Sequence, residues 1–476
     1  MTFSRRAVVA VAMAATVLGS PAGAVAPAWT HARVIALPSN GVTVPQGYLP
    51  ALACPAVGSC VAAGDFADFA SNTYGMVVVE AKGVWKPAAS IDPPLAAAAS
   101  ANLTPTATAC GAVGSCVVVG SYQDNSGNLL AFADLETAGT WRGAQSVPLP
   151  ADAATTQVAQ LRAVTCAGTT TCTAVGTYTA SGANSPVEGL VATEVNGVWH
   201  ASSVELPGPA NVDPIVTLSQ VACDGNHVCI SAGTYIDANG VSHGLGVTIT
   251  GATVSGTSIR LPSNANLYPS VTIGSAACAG ACVVTGTYVT ASGAREGFAL
   301  TATGGTWSPA TMMVLPANAA TSPHVFFYGF SGASCASYGN CTTGGQYRDA
   351  SGRYEGFLVN QVHGVWRAAT ELKLPAGAQQ AGKNGGVVAI TCPVAGTCSA
   401  GAAYLDAKGL YQALIVTEVG TTWRAGTTLR LPKGATSVGI DGGVYGLVCP
   451  SAGHCSATGS YLDGLGRYQG FAASLG

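Results

Sequence analysis

Sixteen cysteines fall into eight pairs, and the pairs recur at a nearly constant interval. The first members are Cys54, Cys110, Cys166, Cys223, Cys278, Cys335, Cys392 and Cys449, in steps of 56, 56, 57, 55, 57, 57 and 57 residues. Their partners are Cys60, Cys116, Cys172, Cys229, Cys282, Cys341, Cys398 and Cys455. Seven pairs read C-x5-C, and only Cys278 and Cys282 close a shorter loop. A fixed period of this length marks an array of one supersecondary unit.

Each unit reads as four strands, with units starting near 47, 101, 156, 213, 267, 322, 382 and 439. Strand A is the apolar run into the first cysteine, as in GGVVAITC (385–392). Strand B leaves the second cysteine, as in CSAGAAYL (398–405), and ends near a tyrosine in seven of the eight units. Turns such as DAKG (406–409) follow; their aspartate bonds its own backbone and their glycine takes positive φ. Strand C, as in YQALIVTEV (411–419), leads into a tight hairpin for which Asn196-Gly197 is a type I′ signal. Strand D, as in WRAATELKLP (366–375), alternates like a half-buried strand. Unit four lacks tryptophan, but Thr253 stands nine residues before Pro262, as Trp366 does before Pro375, so its strand D is expected too.

Four antiparallel strands per unit describe a propeller blade. A solenoid uses shorter coils, and a string of domains needs linkers. WTHARVIALP (29–38) is a strand D with no A to C before it, while the last unit stops after strand C at YQGFAASLG (468–476). The expected fold is therefore an all-β, eight-bladed propeller across residues 25–476, with 29–38 as the outermost strand of the last blade. Such strand exchange closes the ring and removes an exposed edge. Tryptophan at the start of strand D is expected to pack between blades.

The cysteine pairs sit at the A–B hairpin, where Cα atoms approach within disulfide range. Zinc sites favour C-x2-C or C-x4-C plus further ligands, and redox pairs favour C-x-x-C at a helix start. Eight structural disulfides are expected, each closing a short loop worth roughly 2 kcal/mol in the chain-entropy model.

Residues 1–24 read as a secretory leader, with Arg5-Arg6, an apolar run from Ala7 to Leu18 and the cleavage motif Ala22-Gly23-Ala24. The apolar run is short for a membrane span, and export provides the oxidising compartment that disulfides need. Ser4-Arg5-Arg6 partly matches a twin-arginine signal, but disulfides formed after export favour the general secretory route. The expectation is a soluble exported monomer. A net charge of −3 with 9% charged residues gives no basic patch for nucleic acid or an anionic membrane surface.

The phrase C-x5-C-x-A-x-G-x-Y-x-D-x-x-G-x-x-x-G-F followed by G-x-W resembles repeats in secreted proteins of high-GC actinobacteria. Instances are CPVAGTCSAGAAYLDAKG (392–409) and CPSAGHCSATGSYLDGLG (449–466). The resemblance spans the mature chain and implies architecture. It carries over no catalytic residues.

With strand A innermost, the D–A and B–C connections open on one face around the channel mouth. Loops held by a rigid ring are where function resides. The candidate ligand-binding residues are Glu188, His243, Arg295, Glu296, Arg353, Tyr354, Glu355, Tyr411, Arg467 and Tyr468. Tyrosine beside arginine and carboxylate offers stacking faces with hydrogen-bond donors and acceptors, which suits sugars or peptides. The plainer alternative is that a polar residue two positions before the strand-C aromatic bonds the neighbouring blade in every repeat. Strand A of unit six, HVFFYGF (324–330), is unusually aromatic, and packing is its plain reading. No G-x-S-x-G, H-E-x-x-H or phosphate loop is present. No metal or cofactor is implied. A carboxylate pair for glycan chemistry could be drawn from Glu188, Glu296 and Glu355. The expected function is an extracellular binding scaffold for a glycan or peptide; a glycan-acting hydrolase or lyase and a structural envelope component are the alternatives.

Overall fold

The computed structural model describes residues 28–38, 46–68, 72–182, 184–225, 228–320, 330–379, 386–439 and 443–475, with Phe330 described by its backbone only. The leader and residues 324–329 of the aromatic run lie outside these. Eight antiparallel sheets follow one another along the chain, each ordered A-B-C-D. In blade three they are Gln160–Cys166, Thr171–Thr179, Val187–Val195 and Val198–Ser203. The innermost strands of successive blades pack against one another, and that of blade one packs against blade eight. The molecule is an eight-bladed β-propeller.

The ring closes as the sequence requires. Arg33–Val34 pairs antiparallel with the last strand, Tyr468–Leu475, placing Arg33 opposite Ala472 and Val34 opposite Phe471. Trp29 adds a bridge to Leu475. All eight cysteine pairs are bonded, with Cα atoms 3.9–4.1 Å apart at the A–B hairpins. No helix among the described residues is long and apolar enough to cross a membrane.

The core lies between blades. One cluster joins Val117 and Val119 of blade two to Leu161, Ala174 and Tyr178 of blade three, all fully buried. The tyrosines ending strand B, such as Tyr122, Tyr178, Tyr288 and Tyr347, are fully buried, and Phe66 takes their place in blade one. The glycine two residues before Phe66, Tyr122, Tyr178 and Tyr288 is sterically required where strand A bulges. A Cβ on Gly176 would sit 1.9 Å from the Gln160 carbonyl oxygen, opposite the bulge at Leu161/Ala163.

Strand D differs from the continuous strand expected. In blade six Trp366 faces Gln361 but Thr370 faces Leu358, so one extra residue is looped out of the outer strand. That bulge points the amide of Ala369, three residues after the tryptophan, at the Val314 carbonyl of blade five (2.8 Å). The same bond recurs from Ala32 to Arg430, Ala88 to Ala36, Ala144 to Asp92, Ala310 to Arg260 and Gly426 to Lys373, at 2.8–2.9 Å. These amides tie outer strands around the rim, each worth about 1 kcal/mol. Blades three and four lack the extra residue, and their outer strands run unbroken through Val198–Ser203 and Thr253–Ser258. This corrects one alignment. Val254, facing Ile249, holds the tryptophan position that Trp199, facing Glu194, holds in blade three; Thr253 lies one residue earlier. The tryptophans themselves seal blade interfaces, as expected. The indole N–H of Trp307 donates to Thr248 (3.0 Å), that of Trp423 to Asn360 (3.2 Å) and that of Trp85 to Ser474 (3.3 Å), each on the preceding blade.

Candidate functional site

The B–C turns of blades two, four, six, seven and eight are built by one carboxylate each. Asp124, Asp237, Asp349, Asp406 and Asp463 accept, through Oδ1, the amides two and four residues ahead at 2.8–3.0 Å. The other oxygen, Oδ2, is left to hold a side chain from the start of strand C. It accepts from Arg353 Nε (2.8 Å), Arg467 Nε (2.9 Å), His243 Nε2 (3.1 Å) and Gln412 Nε2 (3.0 Å) in the respective blades. Burial by itself pushes the pKa of Asp349 and Asp463 up. The amides of the turn and the guanidinium at each site more than offset this and hold both carboxyls at about 2. Asp124, held chiefly by Asn128, and Asp237, held chiefly by the Val241 amide, are lowered as well.

This arrangement corrects the plain reading of the decorated turns. His243, Gln412 and Gln469, at the position two before the strand-C aromatic, bond the turn aspartate of their own blade rather than the next blade, and Arg353 and Arg467 reach the same aspartates. Glu188 and Glu296 each meet the buried tyrosine of their own blade, and Glu296 also reaches the connection leaving the preceding blade. Glu188 Oε2 lies 3.1 Å from the buried Tyr178 hydroxyl, which also meets Asp152 at 2.9 Å. Glu296 Oε2 lies 3.2 Å from the Tyr288 hydroxyl and accepts from Asn264 at 3.3 Å. Burial, then the adjacent carboxylates, push both tyrosines upward. Arg295 is turned onto the Ser270 carbonyl (3.2 Å) and the Thr287 hydroxyl (3.0 Å), and burial lowers it. Tyr411 packs onto the core between blades seven and eight. Tyr468 crowds Gly439, where a Cβ would come within 2.9 Å of its hydroxyl.

Arg353 and Glu355 are brought together in a polar pocket of about 500 Å³ on blade six, with Glu371, Lys373 and Gln379 also in its wall. Arg353 is clamped by Asp349 (Nη2 to Oδ2, 2.6 Å) and stands 3.7 Å from Glu355 Oε1. Its side chain is 41% exposed, whereas that of Asp349 is 3% exposed, so a charged head is presented from a buried base. Behind the pocket, the Tyr347 hydroxyl donates to Asn318 Oδ1 (2.9 Å) and Asn318 Nδ2 donates to Glu371 (2.9 Å). Tyr354 is adjacent in sequence and half-buried at the start of strand C. Arg353 and Lys373 beside Glu355 and Glu371, with Asp349 beneath, form a donor-and-acceptor-rich cradle on rigid strands. Glu371 and Lys373 were not among the residues expected from sequence. The alternating ELKLP of strand D carried the signal, since it sends both polar side chains to one face. Among the described residues no group of three or more His, Cys, Asp or Glu side chains could hold a metal ion.

The most perturbed carboxyls lie elsewhere. Asp134 on strand C of blade two is 1% exposed, and burial raises it to about 6, with Asp92 adding to the effect. Burial likewise raises Asp65 on strand B of blade one to about 6.

The chain matches no protein-family model and no curated protein in sequence. Among solved structures it is similar to the β-propeller domain of the Trilobed protease from Pyrococcus furiosus, at 7% identity over 81% of this chain and 98% of that one, with a TM-score of 0.43. It is similar to the polysaccharide lyase PL25 ulvan lyase at 10% identity, covering 84% and 98% of the two chains with a TM-score of 0.43. A protein of unknown function from Dyadobacter fermentans matches at 10% identity over 94% and 99%, with a TM-score of 0.38. None of the activities named for those proteins carries over to this chain.

Proposed function

We propose that this protein is an exported, disulfide-stapled propeller of the kind its repeat resembles, serving outside the cell as a monomeric scaffold that binds a glycan or peptide. Support for export comes from the leader-like residues 1–24 and from sixteen cysteines that are all bonded. The observation that carries the binding reading is the blade-six pocket. Arg353 is fixed there by Asp349 with its charge outward, beside Glu355, Glu371 and Lys373. A preorganised guanidinium and carboxylates on strands lose little entropy on binding and pair with hydroxyls or a peptide backbone. The carboxylates Glu188 and Glu296, by contrast, are committed to buried tyrosines in their own blades.

The test is a glycan and peptide array probed with the mature protein, with mass spectrometry for released product. A scaffold retains a ligand without turnover, and Arg353→Ala and Tyr354→Ala each weaken retention tenfold or more. Product release abolished by Glu355→Gln would replace this reading with a glycan-acting enzyme. Retention of no ligand would leave a structural role.

A further inference from the structure

Strand D is the outermost strand of every blade, so its outer row of N–H and C=O groups is a sheet edge. Seven blades tie that edge down at its middle. The amides of Ala32, Ala88, Ala144, Ala310, Ala369 and Gly426 each bond the preceding blade, and in blade four Gly256 donates to the Glu205 carbonyl at 2.9 Å. Among the described residues blade three has no such bond. Ala201 holds the position of Gly256. It faces Ala192 two residues after Trp199 faces Glu194, as Gly256 faces Val247 two residues after Val254 faces Ile249. The acceptor of the tie lies two residues before the proline that ends the preceding strand D. For blade three that residue is Pro148, and in no other blade is it a proline. Glu205 makes a parallel bridge to Ser255, and proline lacks the N–H such a bridge needs.

The untied edge is also unbroken. Strand D of blade three runs Val198–Ser203 without the bulge that leaves Val365–Trp366 and Thr370–Glu371 as separate pieces in blade six. Gly256 turns its N–H out of the sheet, so strand alternation puts Trp199, Ala201 and Ser203 in the same outward phase. The outward groups of these three residues have no partner among the described residues. No proline, lysine, arginine or acid occurs within 198–203 to blunt the edge. A row of donors and acceptors repeating every second residue is complementary to another extended backbone.

Opposite charges mark its two ends. At the C–D turn Arg142 of blade two is exposed, and a Cβ on Gly197 would lie 3.4 Å from its Nη1. Glu194, also at that turn, is 3% exposed and is turned onto the Gly197 amide. Past the other end of the strand Glu205 is exposed. A strand added antiparallel, as the strands of blade three pair, places its N-terminal end beside Glu205 and its C-terminal end beside Arg142.

We infer that the outer strand of blade three is a docking edge for an extended segment of a partner protein, added as a fifth strand, basic toward its N-terminal end and acidic toward its C-terminal end. It is separate from the blade-six pocket and stands or falls independently of it.

The test selects a phage library of random dodecapeptides against the mature protein, residues 25–476, and titrates the enriched peptides by fluorescence polarisation. The peptides bind at micromolar affinity, carry that charge order and protect the Trp199, Ala201 and Ser203 amides from hydrogen exchange. N-methylation of alternate peptide amides weakens binding tenfold or more, while methylation of the intervening amides leaves it unchanged. Ala201→Pro and Ser203→Pro remove outward N–H groups only and weaken it as much, whereas Arg367→Gln, exposed on blade six, has no effect. N-methylation is made on the peptide, so it reads strand pairing even if a proline variant fails to fold. No enriched peptide, or peptides indifferent to N-methylation, overturns the assignment. Peptides lost with Arg353→Ala but kept with Ala201→Pro would belong to the blade-six pocket and overturn it as well. So would a dimer in sedimentation that Ala201→Pro dissociates, which would give the edge to a second copy.

Discussion

The Ser456 hydroxyl of the last blade donates to Glu80 Oε2 of the first at 2.9 Å, linking residues 376 positions apart. Ser474, also in the last blade, donates to the other oxygen of the same carboxylate at 2.9 Å and accepts from Trp85 at 3.3 Å. Glu80 is 2% exposed, so the acid that fastens the two ends of the ring is sealed from water. Glu80→Ala leaves two buried hydroxyls without their acceptor and is expected to cost about 2–4 kcal/mol. Glu80→Gln, which keeps one acceptor, costs less. Denaturant unfolding of the two variants measures this, and equal stability of Glu80→Ala and wild type would refute the seam's role.

Asp134 makes stability depend on pH in a predictable sense. Its folded carboxyl sits at about 6, above the 3.8 of the free group, because burial disfavours the charge. A raised carboxyl gives stability that is complete below about 4 and is lost as pH rises through about 6. Asp134→Asn removes that loss. It is expected to stabilise the protein by roughly 2–3 kcal/mol at pH 8, with the gain fading toward pH 4. Melting curves of both proteins across this range should converge at the acid end; a gap independent of pH would count against burial as the cause.

Gly176 is required by strand A rather than by its own φ. A Cβ there would lie 1.9 Å from the Gln160 carbonyl oxygen, which cannot retreat without undoing the bulge. Gly176→Ala is expected to cost about 3 kcal/mol or more. The comparison is Gly127→Ala in an exposed turn, where a Cβ meets nothing within 4 Å and the only penalty is positive φ (84°). A smaller loss at Gly176 than at Gly127 would disprove the steric account.

The disulfides are expected to be fully formed in the native protein. Alkylation without reductant labels no cysteine, and alkylation after reduction and unfolding labels all sixteen. Reduction alone is expected to lower the midpoint of thermal unfolding, since each bond restricts the unfolded chain by up to roughly 2 kcal/mol. Sixteen reactive thiols in the native protein would contradict the structure.

Much of the architecture was legible in the residues because a repeat multiplies weak signals. One C-x5-C is ambiguous, but eight at a fixed interval, with Trp29 heading an unaccompanied strand, specify both the hairpin and the closure. The bulge in strand D was legible too and went unread: tryptophan to proline spans nine residues in Trp366–Pro375 but eight in Trp199–Pro207. That single residue decides whether Ala369 turns its amide to blade five.

Local order in this protein was therefore set by sequence, since strand period, turn aspartates and cysteine spacing act through neighbours along the chain or across one hairpin. Tertiary structure alone decided which polar side chains are committed and which are presented. Arg353 and Arg467 are equivalent in their repeats and each is clamped by its turn aspartate, yet the side chain of the first is 41% exposed and that of the second 25%. Burial and cavity size depend on distances between blades, and those distances follow from closing the ring, which no stretch of residues encodes by itself.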